Sequence, residues 1–176
     1  MKFLYLFALL LCAQICAAQK LYLEDLQQAL NLSQNECEEF LFQKGYVFTR
    51  QGSRSENGQN INTYTTKGNK LIKTPKTLIK VIGPNPKSDY VCYQTYDHYE
   101  FDEFERMIKE EENYTRSDTV GSDRSRQYHK DEFKISFETK REPEKSLYTI
   151  TLYHASLVKR KLSLPKFFKK REDDGR

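Results

Sequence analysis

Few side chains in this sequence are of types and spacings that do chemistry. A metal centre needs His, Cys or acidic donors close enough in sequence or space to converge on one ion. His98, His129 and His154 lie far apart, and none forms an HxH, HxxxH or HExxH pattern. A cysteine nucleophile needs a neighbouring base and a lowered pKa. Cys37 stands one turn into a helix-like segment, but Glu36, Glu38 and Glu39 surround it and oppose a thiolate. Cys92, between Val91 and Tyr93, reads as a strand position. The 25 Asp and Glu supply carboxylates everywhere and single out no pair for hydrolysis. The chain has no Trp to stack a sugar, although its 12 Tyr can serve. There is no Gly-rich phosphate loop and no GxSxG turn, and no cofactor is implied. These residues point to binding rather than catalysis. The alternative is a small envelope hydrolase using acids, or a Cys with a His.

The clearest binding signal is at the C-terminus. Lys159, Arg160, Lys161, Lys166, Lys169, Lys170 and Arg171 are interleaved with Leu162, Leu164, Phe167 and Phe168. Cations mixed with large apolar side chains suit an anionic membrane surface or an acidic polysaccharide. Nucleic acid is a poorer fit for an exported chain. From Lys159 to Arg176 there are eight Lys or Arg against three Asp or Glu, so a net charge of +4 leaves the body slightly acidic. Pro165 breaks any long amphipathic helix. The plainer reading of residues 155–176 is a solvated, flexible basic tail that aids solubility.

Export is read from the other terminus. In residues 1–18, MKFLYLFALLLCAQICAA, Lys2 is the only charge, Phe3–Leu11 is an apolar run, and small residues close the segment. This is the layout of a secretory signal peptide. The run is too short for a membrane span, which takes about 20 residues. A periplasmic or secreted location follows, with no transmembrane span, and the rest is the size of one domain. Cys12 and Cys16 leave with the signal. Cys37 and Cys92 remain, and in an oxidising compartment they form one disulfide or stay as two buried free thiols. The sequence holds both open.

The elements that would position these residues are legible from periodicity. Leu23, Leu26, Ala29 and Leu30 have helical spacing. Ser33 with Glu36 forms a capping box for a second helix carrying Cys37, Phe40 and Leu41, which Gly45 ends. Strands are expected over Tyr46–Arg50, Ile61–Thr66, Leu78–Ile82 and Tyr90–Tyr96. Gln51–Asn60 reads as a loop and Gly83–Pro86 as a turn. Asp97 with Glu100 repeats the capping pattern before Phe101, Phe104, Met107 and Ile108. Ser117–Lys130 is polar and reads as a loop. Phe133, Ile135 and Phe137 alternate with polar residues, and Leu147–Tyr153 pairs with them as a hairpin. The expectation is an α+β domain over 19–154, with a mainly antiparallel sheet and two principal helices on one face. It is either two helix-plus-strands halves, 19–96 and 97–154, or one domain that uses two capped helices.

Leu21 to Tyr153, with LYLEDLQQAL, QKGYVF, VCYQTYDHYEFDEFERMI, FKISFETK and LYTITLY, resembles the small exported α+β proteins of uncharacterised role in Bacteroidetes-type bacteria. The resemblance implies an envelope or secreted location and an α+β fold, and it carries over no functional residue. The function expected is a non-enzymatic interaction module that binds a protein or an anionic envelope component, with peripheral membrane contact through the tail. A secreted inhibitor or effector presenting its sheet to an enzyme is the further alternative.

Overall fold

The structure, a computed structural model, describes residues 20–52, 58–66, 74–110, 113–117 and 125–156. The signal-like segment and the basic residues from Lys159 to Arg171 lie outside them. Among the described residues there are three α-helices and eight strands. The helices are α1 (Leu23–Asn31), α2 (Gln34–Gln43) and α3 (His98–Glu110). The strands are β1 (Tyr46–Gly52), β2 (Asn60–Thr66), β3 (Thr77–Ile82), β4 (Tyr90–Thr95), β5 (Thr115–Arg116), β6 (Ser125–Lys130), β7 (Phe133–Arg141) and β8 (Ser146–His154). The class is α+β, as expected.

All neighbouring strands pair antiparallel in one sheet of order β1-β2-β3-β4-β8-β7-β6-β5. The order is a palindrome in topology. A helix precedes a four-strand meander in each half, and the halves join through their last strands, β4 and β8. The cross-strand register aligns Tyr64, Leu78, Tyr93, Ile150 and Phe137 in one row. Lys80, Val91, Leu152, Ile135 and Tyr128 form the next row on the same face. Apolar side chains from all three helices join these rows in one buried cluster. Full burial of each large apolar side chain contributes roughly 1.5–3 kcal/mol, so this cluster is the main source of tertiary stability. The alternate residues Ile61, Ile79, Val81, Tyr90, Cys92 and Tyr153 form a second buried cluster on the opposite face.

Helix boundaries follow local chemistry. Ser33 caps α2: its N–H donates to Glu36 Oε2 at 2.9 Å and its Oγ accepts from Glu36 N–H at 3.4 Å. Gly45, at φ 83°, takes the left-handed step that turns the chain into β1, and Asn113, at φ 54°, takes the same step after α3. Asp97 Oδ1 accepts from the N–H groups of Tyr99 (3.0 Å) and Glu100 (3.2 Å), so it caps α3.

Three expectations need correction. Glu100 does not complete a capping box; its carboxylate turns inward to the sheet. Met107 is only half-buried, and Glu105 occupies the buried stripe beside Phe101, Phe104 and Ile108. Ser125–Lys130, read as loop, is strand β6, held by six register pairs to β7. The helical spacing read at Leu23, Leu26, Ala29 and Leu30 forms helix α1. Among the described residues no helix is long and apolar enough to cross a membrane.

Candidate functional site

The sequence singled out Cys37 and Cys92 as a candidate disulfide. Both are buried free thiols. Strand alternation is the reason. Val91 and Tyr93 face the helices, so Cys92 between them faces the other way. Cys37 projects from α2 into the helix-side cluster, and the sheet separates the two. Burial pushes the Cys92 thiol up to about 12. Burial also raises Cys37, and the nearby Lys80 ammonium opposes this only in part. A thiol kept protonated and away from water is not a nucleophile at neutral pH.

Sequence reasoning missed Lys80, which is 1% exposed. It stands in the helix-facing row of β3, and its Nζ donates to the carbonyls of Ala29 (2.7 Å), Leu30 (3.4 Å) and Leu32. These are carbonyls at the end of α1, the groups a helix C-terminus leaves without internal partners. Lys80 is therefore a C-terminal cap delivered from the sheet. Burial lowers its pKa, and the carbonyl dipoles and the acids Asp89 and Glu36 hold the charge in place. The signal in the sequence was a single Lys inside the apolar run TLIKVI.

The two buried acids of α3 are also anchors. Glu100 accepts from Tyr93 Oη (3.0 Å) and Thr95 Oγ1 (3.1 Å) and pairs with Lys76 Nζ at 2.8 Å. Glu105 accepts from Tyr128 Oη at 2.5 Å and pairs with Arg126 (2.7 Å) and Lys109 (3.3 Å). Burial, together with Tyr46 and Glu100, raises the Tyr93 phenol well above its ordinary value. These contacts dock α3 on the sheet.

The histidines do not converge. His98 pairs with Asp102 on the surface of α3 at 3.1 Å, and His129 is exposed on β6. Among the described residues no group of three or more His, Cys, Asp or Glu is placed to hold a metal ion. His154 has the most suggestive setting. Its Nδ1 lies 2.7 Å from Ser156 Oγ and its Nε2 lies 3.0 Å from Glu132 Oε2. The Ser156 N–H donates to Nδ1 at 3.3 Å, which leaves Nε2 to carry the proton toward Glu132. The order Ser–His–acid matches an acyl-transfer relay. Ser156 is nevertheless not among the residues lining the neighbouring cleft of about 620 Å³, to which Leu32, Glu36, Lys87, Asp89, Phe133 and His154 contribute. Glu132 O also accepts from Ala155 N–H at 2.6 Å. The cluster closes the end of the β7–β8 hairpin.

A second concavity, of about 630 Å³, lies where α2 meets β1. Asn35, Glu38, Glu39 and Phe42 recur at i, i+3, i+4 and i+7 and form the outer stripe of α2; Tyr46, Val47 and Phe48 of β1 form the other wall. Cys37 and Leu41 point from the same helix into the core. Phe42 is 66% exposed and Phe48 37% exposed, and Phe48 rests edge-on against Tyr64 at 5.6 Å. Among the described residues β1 pairs with β2 alone and so forms one margin of the sheet. The opposite margin, β5, has only two residues.

No family model, curated protein or solved structure matches this chain. The site rests on its own geometry.

Proposed function

We propose that this is an exported, non-enzymatic interaction protein that binds a protein partner along the β1 margin of its sheet. The observation that carries the reading is the groove between α2 and β1. A seven-residue margin strand lies beside exposed Phe42 and Phe48. Among the described residues this margin pairs on one side only, a liability that most folds blunt or cover, and exposed aromatics beside it supply contact area for a partner. Export rests on the signal-like residues 1–18. The basic tail, Lys159 to Arg171, adds attachment to an anionic envelope component, each cation near an anionic surface contributing about 1 kcal/mol at most.

The test is a pull-down from envelope extract with residues 19–176, a version ending at Ala155, and the double variant Phe42→Ser/Phe48→Ser. The expected result is a partner kept by the truncated chain and lost by the double variant. A partner held equally by the double variant removes the groove from the function. A partner held only by the full-length tail makes the tail the functional element.

A further inference from the structure

The sheet has two buried clusters, and the helices account for one. Apolar side chains of all three helices join the cluster on their own side. The cluster on the opposite face consists of strand residues alone. Cross-strand register orders that face in rows. Ile61, Val81, Tyr90, Tyr153 and Lys134 form the row beside the end of β8, and Thr63, Ile79, Cys92, Thr151 and Ser136 form the next. The third row, Thr65, Thr77, Gln94, Thr149 and Glu138, is polar. The apolar part of this face therefore lies at the end of the sheet where the chain leaves β8. Val81 and Cys92 are 0% exposed, and Tyr153 is 1% exposed. Tyr90 and Tyr153 are the largest members of the cluster, and shorter neighbours do not keep water off a tyrosine ring. A further segment lies over them, as a buried sheet face requires. Tyr153 Oη is buried with no hydrogen-bond partner among the described residues, and a covering segment can supply one.

These residues are buried in a single copy of the chain, so their cover belongs to the chain itself. The β3–β4 connection reaches the same end of the sheet but turns to the helix side, where Pro86, Lys87 and Asp89 line the cleft with Leu32 and His154. Within the β1–β2 connection, residues 53–57 read SRSEN and carry no apolar side chain. Residues 67–73 and 118–124 join strands at the polar end. Residues 1–18 leave the chain on the export reading. Residues 157–176 follow β8 directly, and its exit is held by Ala155 N–H donating to Glu132 O at 2.6 Å. They bring Leu157, Val158, Leu162, Leu164, Phe167 and Phe168. From β8 to β2 is three strand spacings, about 14 Å. The twelve residues 157–168 reach up to about 40 Å when extended.

We infer that residues 157–168 fold back from the end of β8 across β4 and β3 as a strap, their apolar side chains covering Val81, Tyr90, Cys92 and Tyr153. The cations between them stay at the surface, since an unpaired Lys or Arg is almost never fully buried. The tail is then part of the fold, and the sheet carries a layer on each face. This uses the export of residues 1–18 and does not depend on the β1 groove, so its failure leaves the pull-down reading untouched.

Cys92 is a built-in probe of the covered face, and Cys37, on the helix side, reports opening of the whole fold. The chain 19–176 is prepared with Cys37→Ala, which leaves Cys92, and with Cys92→Ala, which leaves Cys37. Each is compared with the same chain ending at Ser156 and with the full-length variant Leu162→Ser/Leu164→Ser/Phe167→Ser/Phe168→Ser. Thiol modification by an aromatic disulfide reagent is followed at pH 8. Slow labelling of both thiols is expected in the full chain. In the shortened chain and the serine variant, Cys92 should label at least tenfold faster while Cys37 keeps its rate. Rapid labelling of Cys92 in the full chain overturns the strap, because the face is then open. An unchanged Cys92 rate overturns it too, as does equal acceleration of both thiols in the serine variant, which reports general loosening. Protection of Cys92 that rises with protein concentration gives the cover to a second copy and also overturns it. Where the chain ending at Ser156 lacks a cooperative melt, the serine variant decides.

Discussion

Lys80 shows how one residue joins two layers. Its ammonium is buried and costs desolvation, yet it satisfies carbonyls at the end of α1 that otherwise lack partners. The Lys80→Met variant keeps the apolar stem and removes the donor. Each buried acceptor left unpaired costs about 1–3 kcal/mol, while relief of the buried charge offsets part of that. A net loss of about 1–3 kcal/mol is expected, read as a lower urea midpoint at unchanged slope. Cys92 makes a pH prediction. Its thiol titrates near the ordinary 9.0 when unfolded, and burial pushes it up to about 12 when folded. Below pH 9 both states hold the proton and its contribution is intact. Between pH 9 and 12 the unfolded state releases the proton first, so stability falls as pH rises, by about 1.4 kcal/mol per pH unit at most. Against Cys92→Val, which cannot titrate, the wild type should lose ground steadily across that window in base-unfolding curves. Parallel curves would show that Cys92 reaches solvent.

At the scale of the element, the two capped helices differ in how their first turns are held. Ser33 and Glu36 exchange reciprocal bonds, whereas Asp97 alone accepts two N–H groups because Glu100 is committed to Tyr93, Thr95 and Lys76. Loss of an N-cap costs about 0.5–2 kcal/mol. Asp97→Ala should sit toward the upper end of that range and Ser33→Ala toward the lower, since the Asp97 carboxylate also meets the positive end of the α3 dipole. Chemical denaturation of both variants gives the comparison. Equal losses would mean that the dipole and the second bond add nothing.

For the whole molecule, the topological palindrome raises the question of whether residues 19–96 and 97–154 are independent units. Packing answers against independence. Strands β4 and β8 pair along six residues at the centre of the sheet. The helix-side cluster also mixes Leu21, Leu26 and Leu41 with Phe101, Phe137 and Leu152. Neither half can bury its apolar face alone. Unfolding should be a single transition with calorimetric and van't Hoff enthalpies equal, and the fragment 19–96 should lack a cooperative melt. Two resolved transitions would make the halves separate domains.

What the sequence by itself determined is local in origin. The α+β class, the caps at Ser33 and Asp97, the turn at Gly45 and the alternation in Phe133–Phe137 rest on contacts a few residues apart, and such contacts print their period in the chain. Strand β6 was illegible because SRQYHK has no apolar alternation; it is a strand because β7 offers it partners. Glu100 and Glu105 stand in the buried stripe of α3, and only the tyrosines of the sheet, Tyr93 and Tyr128, explain why acids stand there. Cys37 and Cys92 look alike as small buried residues, and the sheet between them decides that they do not meet. The groove was invisible for the same reason: a margin exists only when strand order is known, and strand order is set by pairing between residues far apart in the chain.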